Sequence, residues 1–431
     1  MPSKLVCMDC GREYPINAVI YTCAHCASLL DVQHDFPQTV SRELFDQRLG
    51  ALDLPYSSGV WRYKELIYPD LDEGLIVSRN EGNTNLYHIP KLAAWAGVDT
   101  LYLKHEGENP TGSFKDRGMT TGVTQARVLG MDRVACASTG NTSASLAAYA
   151  AHAGMEGIVF FQNKQIALGK LAQAIAYGAT CVQINADFDK NLELVREVSE
   201  ALAIYVLNSV NAFRLEGQKS IMFEAIQQLR WQVPDWIVVP GGNLGNSSAF
   251  GKGLHEMHAL GLIDRLPRIA IIQAEGANPL YKAYQTGFEV YEPVKADTIA
   301  TAVKIGNPVS YAKAVRTIKW TNGVVEQVSD QEIMDAKALI DATGIGCEPA
   351  SACSLAGTRK LVEMGVIQPG ESVVGILTGH VLKDPDAIIK YHSATLDNLD
   401  ATYANPMHPA EPSIEEITRI LTGAREKAPV V

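Results

Sequence analysis

From about Thr100 onward, short β-branched runs alternate with helix-forming stretches, and this alternation confines most of the 431-residue chain to a mostly parallel α/β architecture. The runs are LYLKHEG, RVACA, GIVFFQ, TCVQINA, IYVLNS, WIVVP, RIAIIQ and SVVGIL. Between them SASLAAYAAHAG and DKNLELVREVSEAL read as helices, and Ser329 with Glu332 has the capping-box spacing ahead of IMDAKALIDA. The sheet is expected to be wrapped on both faces.

Both ends of the chain differ from this pattern. Residues 1–35 contain Cys7-x2-Cys10 and Cys23-x2-Cys26, twelve residues apart, and Gly11 follows the first pair. Two tight turns facing each other supply the four soft thiolates that tetrahedral zinc takes, with no position left open for a reactant, so the predicted site is a structural zinc ribbon. A redox dithiol pair or a metal-free remnant is the alternative. Cys136, Cys181, Cys347 and Cys353 sit among apolar or small residues and read as buried hydrophobes of a reducing compartment. Residues 36–79 read as an N-terminal linker or extension, 80–395 as the core, and 396–431 as an appended tail with the amphipathic stretch SIEEITRILTGAREK.

Charge narrows the partners. Thirty-seven Lys and Arg against 48 Asp and Glu leave a net charge of -11, so no general basic surface exists for a nucleic acid. No 18-residue apolar run and no apolar leader at Met1-Pro2-Ser3-Lys4 point to a membrane or to export, and a cytoplasmic location is expected.

In an open parallel sheet ligands collect beyond the carboxyl ends of the strands. Three such loops are Gly-bearing, rich in hydroxyls or amides, and free of acidic, Lys or Arg side chains: Ser138–Ser143 after RVACA, Gly241–Asn246 after WIVVP, and Thr378-Gly379-His380 after SVVGIL. The middle loop opens into the helical stretch SSAFGKGLHEM, whose free N–H groups and dipole make an anion cradle. It is not a P-loop, because five residues rather than four separate Gly245 from Gly251-Lys252, and no G-x-G-x-x-G follows a strand. A fourth element, Glu108 to Gly118 (ENPTGSFKDRG), places Lys115 among turn residues at a helix start. That locally positive setting favours the neutral amine needed for Schiff-base chemistry; taken alone, a solvated surface lysine fits as well.

These four segments, in this order, resemble the pyridoxal-phosphate enzymes of the tryptophan-synthase-β class (fold type II), and within it the threonine synthases, over roughly residues 80–395. The resemblance implies two open twisted sheet domains, the smaller and more mobile one at roughly 120–225, with pyridoxal 5'-phosphate in the cleft between them. It implies that Lys115 carries the cofactor covalently and shuttles protons, that Asn141 bonds the phenolic oxygen, and that the backbone of Gly242, Asn243, Leu244, Gly245 and Asn246 binds the cofactor phosphate. Thr378 would face the ring nitrogen. Threonine synthases take O-phosphohomoserine, which needs a second anion site, and the segments ALGKLAQAIAYGA and LNSVNAFRLEGQKS imply Lys170, Asn208, Ser209 and Arg214 for it, with Ser138 and Asn243 adding neutral donors. Some members carry a four-cysteine ribbon; here Ala27-Ser28 stands where a Gly-Gly is expected after the last Cys. The resemblance further implies a homodimer. A serine or threonine dehydratase, or a noncatalytic cofactor-binding regulator, remains the competing expectation.

Overall fold

The structure, a computed structural model, describes residues 3–162, 171–185 and 188–426. Its strands are β1 (Lys4–Cys7), β2 (Glu13–Pro15), β3 (Leu30–Gln33), β4 (Leu86–His88), β5 (Thr100–His105), β6 (Arg133–Ala137), β7 (Glu156–Gln162), β8 (Thr180–Ile184), β9 (Tyr205–Val206), β10 (Trp236–Pro240), β11 (Arg268–Ala274), β12 (Val324–Val328) and β13 (Ser372–Leu377). One sheet has the order β12-β11-β10-β13-β5-β4 and is parallel except at the β4–β5 edge. The second, β8-β7-β6-β9, is parallel throughout. A small antiparallel sheet, β2-β1-β3, carries the paired cysteines.

All eight expected runs are strands. β12 (VVEQV) and β4 (LYH) were not singled out by pattern: the first is interrupted by Glu326-Gln327 and the second is a three-residue antiparallel edge. The capping box forms as expected, Ser329 Oγ accepting from Glu332 N–H while the Glu332 carboxylate accepts from Ser329 N–H.

Burial follows the pleat. Trp236 and Val238 of β10 pack with Ala270 and Ile272 of β11 in one apolar cluster, whereas Ile237, Val239, Ile269 and Ile271 belong to another, so helices cover both faces of the larger sheet. The Pro349–Glu363 helix comes down on that sheet at Gly357, where a Cβ would fall 2.4 Å from Ile272 Cγ1.

A second close approach positions the site. The Lys115–Val128 and Ala212–Gln228 helices cross backbone to backbone at Gly217, where a Cβ would fall 1.8 Å from the Arg117 carbonyl oxygen. In the same crossing a Cβ at Gly118 would fall 2.9 Å from the Arg214 carbonyl oxygen, and one at Gly122 would fall 2.7 Å from Leu207 Cδ2 and 3.3 Å from Arg214 Cγ. Arg214 is thereby set beside the helix that begins at Lys115. The crossing is locked from within by Arg117, fully buried, which donates to Glu106 at 2.6 Å and to Glu224 at 2.8 Å; Lys104 donates to Glu224 at 2.6 Å. Residues 36–79 pack into this core: Trp61 Nε1 donates to Thr120 Oγ1 at 2.7 Å, and the Tyr63 ring meets Phe223 edge-on at 5.6 Å.

Candidate active site

The expected loops leave the carboxyl ends of β5, β6, β10 and β13 and converge on one cavity of about 1040 Å³. It is lined by Lys115, Ser138, Asn141, Ser209, Arg214, Gly242, Asn243, Leu244, Gly245, Asn246 and Thr378. That volume lies at the upper end of what small-ligand sites need, about 300–1,000 Å³, and leaves room for a cofactor with a substrate beside it.

Lys115 opens its helix after a turn in which Gly112 has φ +87°. The turn is laced to the end of β13, because Phe114 N–H donates to the Thr378 carbonyl at 3.1 Å and His380 N–H to the Gly112 carbonyl at 2.9 Å. Nζ of Lys115 lies 4.1 Å from the Phe114 ring centroid and makes no hydrogen bond among the described residues. Burial, and after it the Arg214 guanidinium, lower its pKa to about 7, with Glu348 acting in the opposite sense. Burial and Arg214, rather than the turn and helix start that the sequence points to, are the causes of that shift.

Arg214 stands in the first turn of the Ala212–Gln228 helix and is buried. One Nη1 bond to the Leu207 carbonyl at 3.1 Å holds it, its Nε has no partner, and no described carboxylate pairs with it. Burial lowers its pKa to about 10, so it stays a cation at neutral pH. A buried cation without a counter-ion on a cavity wall is an anion site, since otherwise its desolvation goes uncompensated. Ser209 stands beside it, and Asn243 Nδ2 donates to Ser209 Oγ at 3.3 Å, tying this wall to the glycine-rich loop. Asn208 is not among the lining residues; its Oδ1 accepts from Ala137 N–H at 2.9 Å and closes the end of β6. Lys170 lies outside the described residues.

The loop after β10 reaches the Gly245–Ala259 helix through Leu244, a non-glycine residue at φ +65°. That left-handed turn aims the first helical N–H groups, which have no partner within a helix, at the cavity. Around it the side-chain oxygens of Asn246, Ser247 and Gln218 are buried without a partner. At Gly242 a Cβ would fall 3.2 Å from both the Ala302 oxygen and Val303 Cα. Such a cradle suits a phosphate.

Glu348 was not anticipated. It stands just before the Pro349–Glu363 helix, lines the cavity and is buried. Asn141 Nδ2 donates to its Oε2 at 3.0 Å and Thr378 Oγ1 to its Oε1 at 3.2 Å. Burial raises its pKa, and those two donors and the nearby lysines only partly offset the rise. Ser351, one turn along, accepts from the N–H groups of Thr378 and Gly379 at 2.8 and 3.0 Å. The only signal in the sequence is an acid directly before Pro349, a helix-start pattern.

A phosphate cradle, an amine with a pKa about 7, and hydroxyl and amide donors between them fit pyridoxal phosphate. Across the molecule, the sulfurs of Cys7, Cys10, Cys23 and Cys26 lie within 4.8 Å of one another, at 3.4 Å for Cys7–Cys26 and 3.6 Å for Cys10–Cys23 and Cys10–Cys26. These are close to the roughly 3.8 Å edge of a tetrahedron with Zn–S bonds of about 2.3 Å.

A family model described as pyridoxal-phosphate dependent enzyme matches residues 77–379. Threonine synthase of Methanocaldococcus jannaschii is 49% identical over 386 residues, covering 89% of this chain and 94% of that protein. Threonine synthase 2, chloroplastic, of Arabidopsis thaliana is 44% identical over 409 residues, covering 92% and 79%. Among solved structures, maize serine racemase superposes with a TM-score of 0.61 at 20% identity, covering 75% of this chain and 92% of that one. The processed form of threonine deaminase isoform 2 from Solanum lycopersicum gives 0.60 at 20% identity, covering 69% and 79%. At such identities these two show the fold alone.

Proposed function

The chain belongs to the pyridoxal-phosphate-dependent enzyme family and, within it, to the threonine synthases, and from that membership we propose that it converts O-phospho-L-homoserine and water to L-threonine and phosphate. The observation that carries the substrate is Arg214, a buried cation without a counter-ion on the wall of the cavity that also holds Lys115. A dehydratase acting on serine or threonine brings only the α-carboxylate and no phosphoryl group for it to meet.

When bound, the cofactor supplies an electron sink that stabilises negative charge on the neighbouring substrate carbons. Lys115 holds it at rest and, once freed, takes and returns protons at Cα and Cβ; a pKa about 7 lets one amine do both at neutral pH. The N–H groups of the Gly242–Asn246 loop and the open start of the Gly245–Ala259 helix hold the cofactor phosphate. Asn141, held by Glu348, would meet the phenolic oxygen, and Thr378, whose hydroxyl lies between Glu348 and Ser351, would face the ring nitrogen and could turn its proton there in place of Glu348. Arg214, with Ser209, Asn243 and Ser138, holds the substrate phosphoryl group and stabilises its charge as the bond to Cγ breaks.

The test is an assay of the purified holoprotein with O-phosphohomoserine, following threonine and phosphate together. Equal release of both is expected; phosphate released with 2-oxobutyrate would replace this reading by an elimination that stops short of hydration. Borohydride should fix the cofactor to Lys115 and nowhere else.

Three further readings accompany it. The four cysteines hold a structural zinc, supported by their near-tetrahedral spacing. The units built on the two parallel sheets move relative to each other, the smaller spanning roughly 120–225, which fits a cavity lined from both. The enzyme acts as a cytoplasmic homodimer: Cys136, Cys347 and Cys353 are buried free thiols, and no helix among the described residues is long and apolar enough to cross a membrane. The dimer rests on family resemblance.

A further inference from the structure

We propose that the N-terminal four-cysteine module positions the substrate phosphoryl site, acting through Tyr21 and His34. The inference rests on the reading of Arg214 as the ligand of that phosphoryl group. Asn208, Ser209 and Arg214 lie on one short stretch that leaves the smaller sheet at β9 and becomes the Ala212–Gln228 helix. The module grips this stretch at both ends.

At its entry, β9 is a two-residue edge strand, and the Val206 N–H points away from β6. The Tyr21 hydroxyl accepts that N–H at 2.7 Å, and its ring lies 5.9 Å from the Tyr205 ring. At its exit, His34 meets Glu216, two residues after Arg214, with Nε2 3.0 Å from Oε2. Burial lowers the His34 pKa, which leaves a neutral ring able to donate one N–H, while Lys219 and Lys252 hold the Glu216 carboxylate charged against its own burial. Lys252 also donates to the Val32 carbonyl, and Asp31 pairs with Lys313 at 2.8 Å. β3 is thus fastened to the Gly245–Ala259 helix, which starts at the cofactor-phosphate loop, and to the Tyr311–Trp320 helix.

Within the stretch Asn208 is tied to β6 through the Ala137 N–H and Ser209 to Asn243, while Asn211 and Arg214 bond back to the backbone of the stretch itself. Asn211 Nδ2 donates to the Val206 carbonyl at 3.0 Å and Arg214 Nη1 to the Leu207 carbonyl at 3.1 Å. The direction of the Arg214 guanidinium therefore follows from where Val206 and Leu207 sit, and Tyr21 completes the outer edge that sets them. Tyr21 is itself two residues from Cys23, so closure of the four thiols carries the hydroxyl into place. Tyr21, His34 and Glu216 are positioning residues: none of them lines the cavity.

The experiment uses full-length holoprotein with Tyr21→Phe, His34→Ala and His34→Gln, and inorganic phosphate as the probe, its dissociation constant measured calorimetrically beside the steady-state constants. Loss of one hydrogen bond at either end should raise the phosphate dissociation constant and the KM for O-phosphohomoserine together by about three- to tenfold. Cofactor content should be unchanged, and kcat should move less than about twofold. His34→Gln keeps a donor toward Glu216 and should recover most of the loss. If Tyr21→Phe and His34→Ala lower the thermal midpoint yet leave the phosphate dissociation constant at its wild-type value, the module is a structural appendage and the inference fails. If the wild-type protein neither binds inorganic phosphate nor turns over O-phosphohomoserine, the reading of Arg214 fails first and takes this inference with it.

Discussion

Asn141 and Glu348 meet across the cavity, Nδ2 donating to Oε2 at 3.0 Å, and this bond joins the loop after β6 of the smaller sheet to a helix packed on the larger one. Thr378 donates to the other oxygen of the same carboxylate, so one residue, Glu348, touches both groups assigned to the cofactor ring, with Ser351 a second neighbour of Thr378. Glu348→Ala leaves Asn141 without that acceptor, and kcat/KM should fall by about 10- to 100-fold, the range for a lost hydrogen bond to a charged group. Glu348→Gln retains one oxygen and the side-chain shape, and should lose less than about tenfold. Steady-state kinetics of both variants, with cofactor content measured in parallel, checks the order; equal losses would show that charge matters more than aim.

Arg214→Met removes the buried cation and keeps most of its volume. The KM for O-phosphohomoserine should rise by about 30- to 1,000-fold, the scale for truncating one partner of a buried charge-assisted contact. Cofactor loading should survive, because the phosphate cradle of the Gly242–Asn246 loop lies on a different element. The measurement is a saturation curve with the phosphorylated substrate; an unchanged KM would remove Arg214 from the substrate site.

Much of this site is legible in sequence because its parts are local. A strand end, a glycine-bearing turn and a helix start occupy adjacent residues, so Ser138–Asn141, Gly242–Asn246 and Thr378 could be found by reading past each β-branched run. Glu348 could not be found that way. Its partners Asn141 and Thr378 lie 207 and 30 residues away, and only the packing of the Pro349–Glu363 helix on β11 brings them together. The depressed pKa of Lys115 is legible in direction but not in cause, since burial, the larger cause, follows from the tertiary packing, and Arg214, the second, reaches it through a helix crossing permitted by Gly118, Gly122 and Gly217. Residues 36–79 carry no strand or motif signal, yet Trp61 and Tyr63 are wholly buried against the helices that bear Lys115 and Arg214.

That helix crossing makes its own prediction. At Gly217 a Cβ would fall 1.8 Å from the Arg117 carbonyl oxygen and 2.7 Å from the Arg117 carbonyl carbon, and that backbone cannot rotate out of the way. Gly217→Ala should therefore destabilise the protein by about 1–3 kcal/mol or more, as overpacking does in a close-packed interior. The helices must separate to relieve the contact, which also moves Arg214 from Lys115, so activity should fall together with the urea midpoint. A Gly261→Ala control, at an open position with φ +70°, should cost only the backbone term of about 1–2 kcal/mol.

The pKa of Lys115 gives a pH signature that the same neighbour controls. Schiff-base formation needs the neutral amine, and a group lowered from 10.5 to about 7 is half neutral near pH 7. Addition of pyridoxal phosphate to cofactor-free protein, followed by absorbance at roughly 410–430 nm, should therefore accelerate with rising pH and reach half its limiting rate near pH 7 rather than near 10.5. Because Arg214 is the second cause of the shift, Arg214→Met should move that midpoint upward. Stability follows with a definite sign. Between about pH 7 and 10.5 the unfolded chain binds a proton at this amine that the folded chain does not, so the cofactor-free protein gains stability from this group as pH rises through that window, and below pH 7 the cost of the buried cation is fully present. Urea titrations of wild-type and Lys115→Met cofactor-free protein at pH 6.5 and 9 separate the contribution: the variant should be stabilised relative to wild type at pH 6.5, and that advantage should shrink at pH 9. A pH-independent difference between the two would place the ammonium in water rather than on the cavity floor.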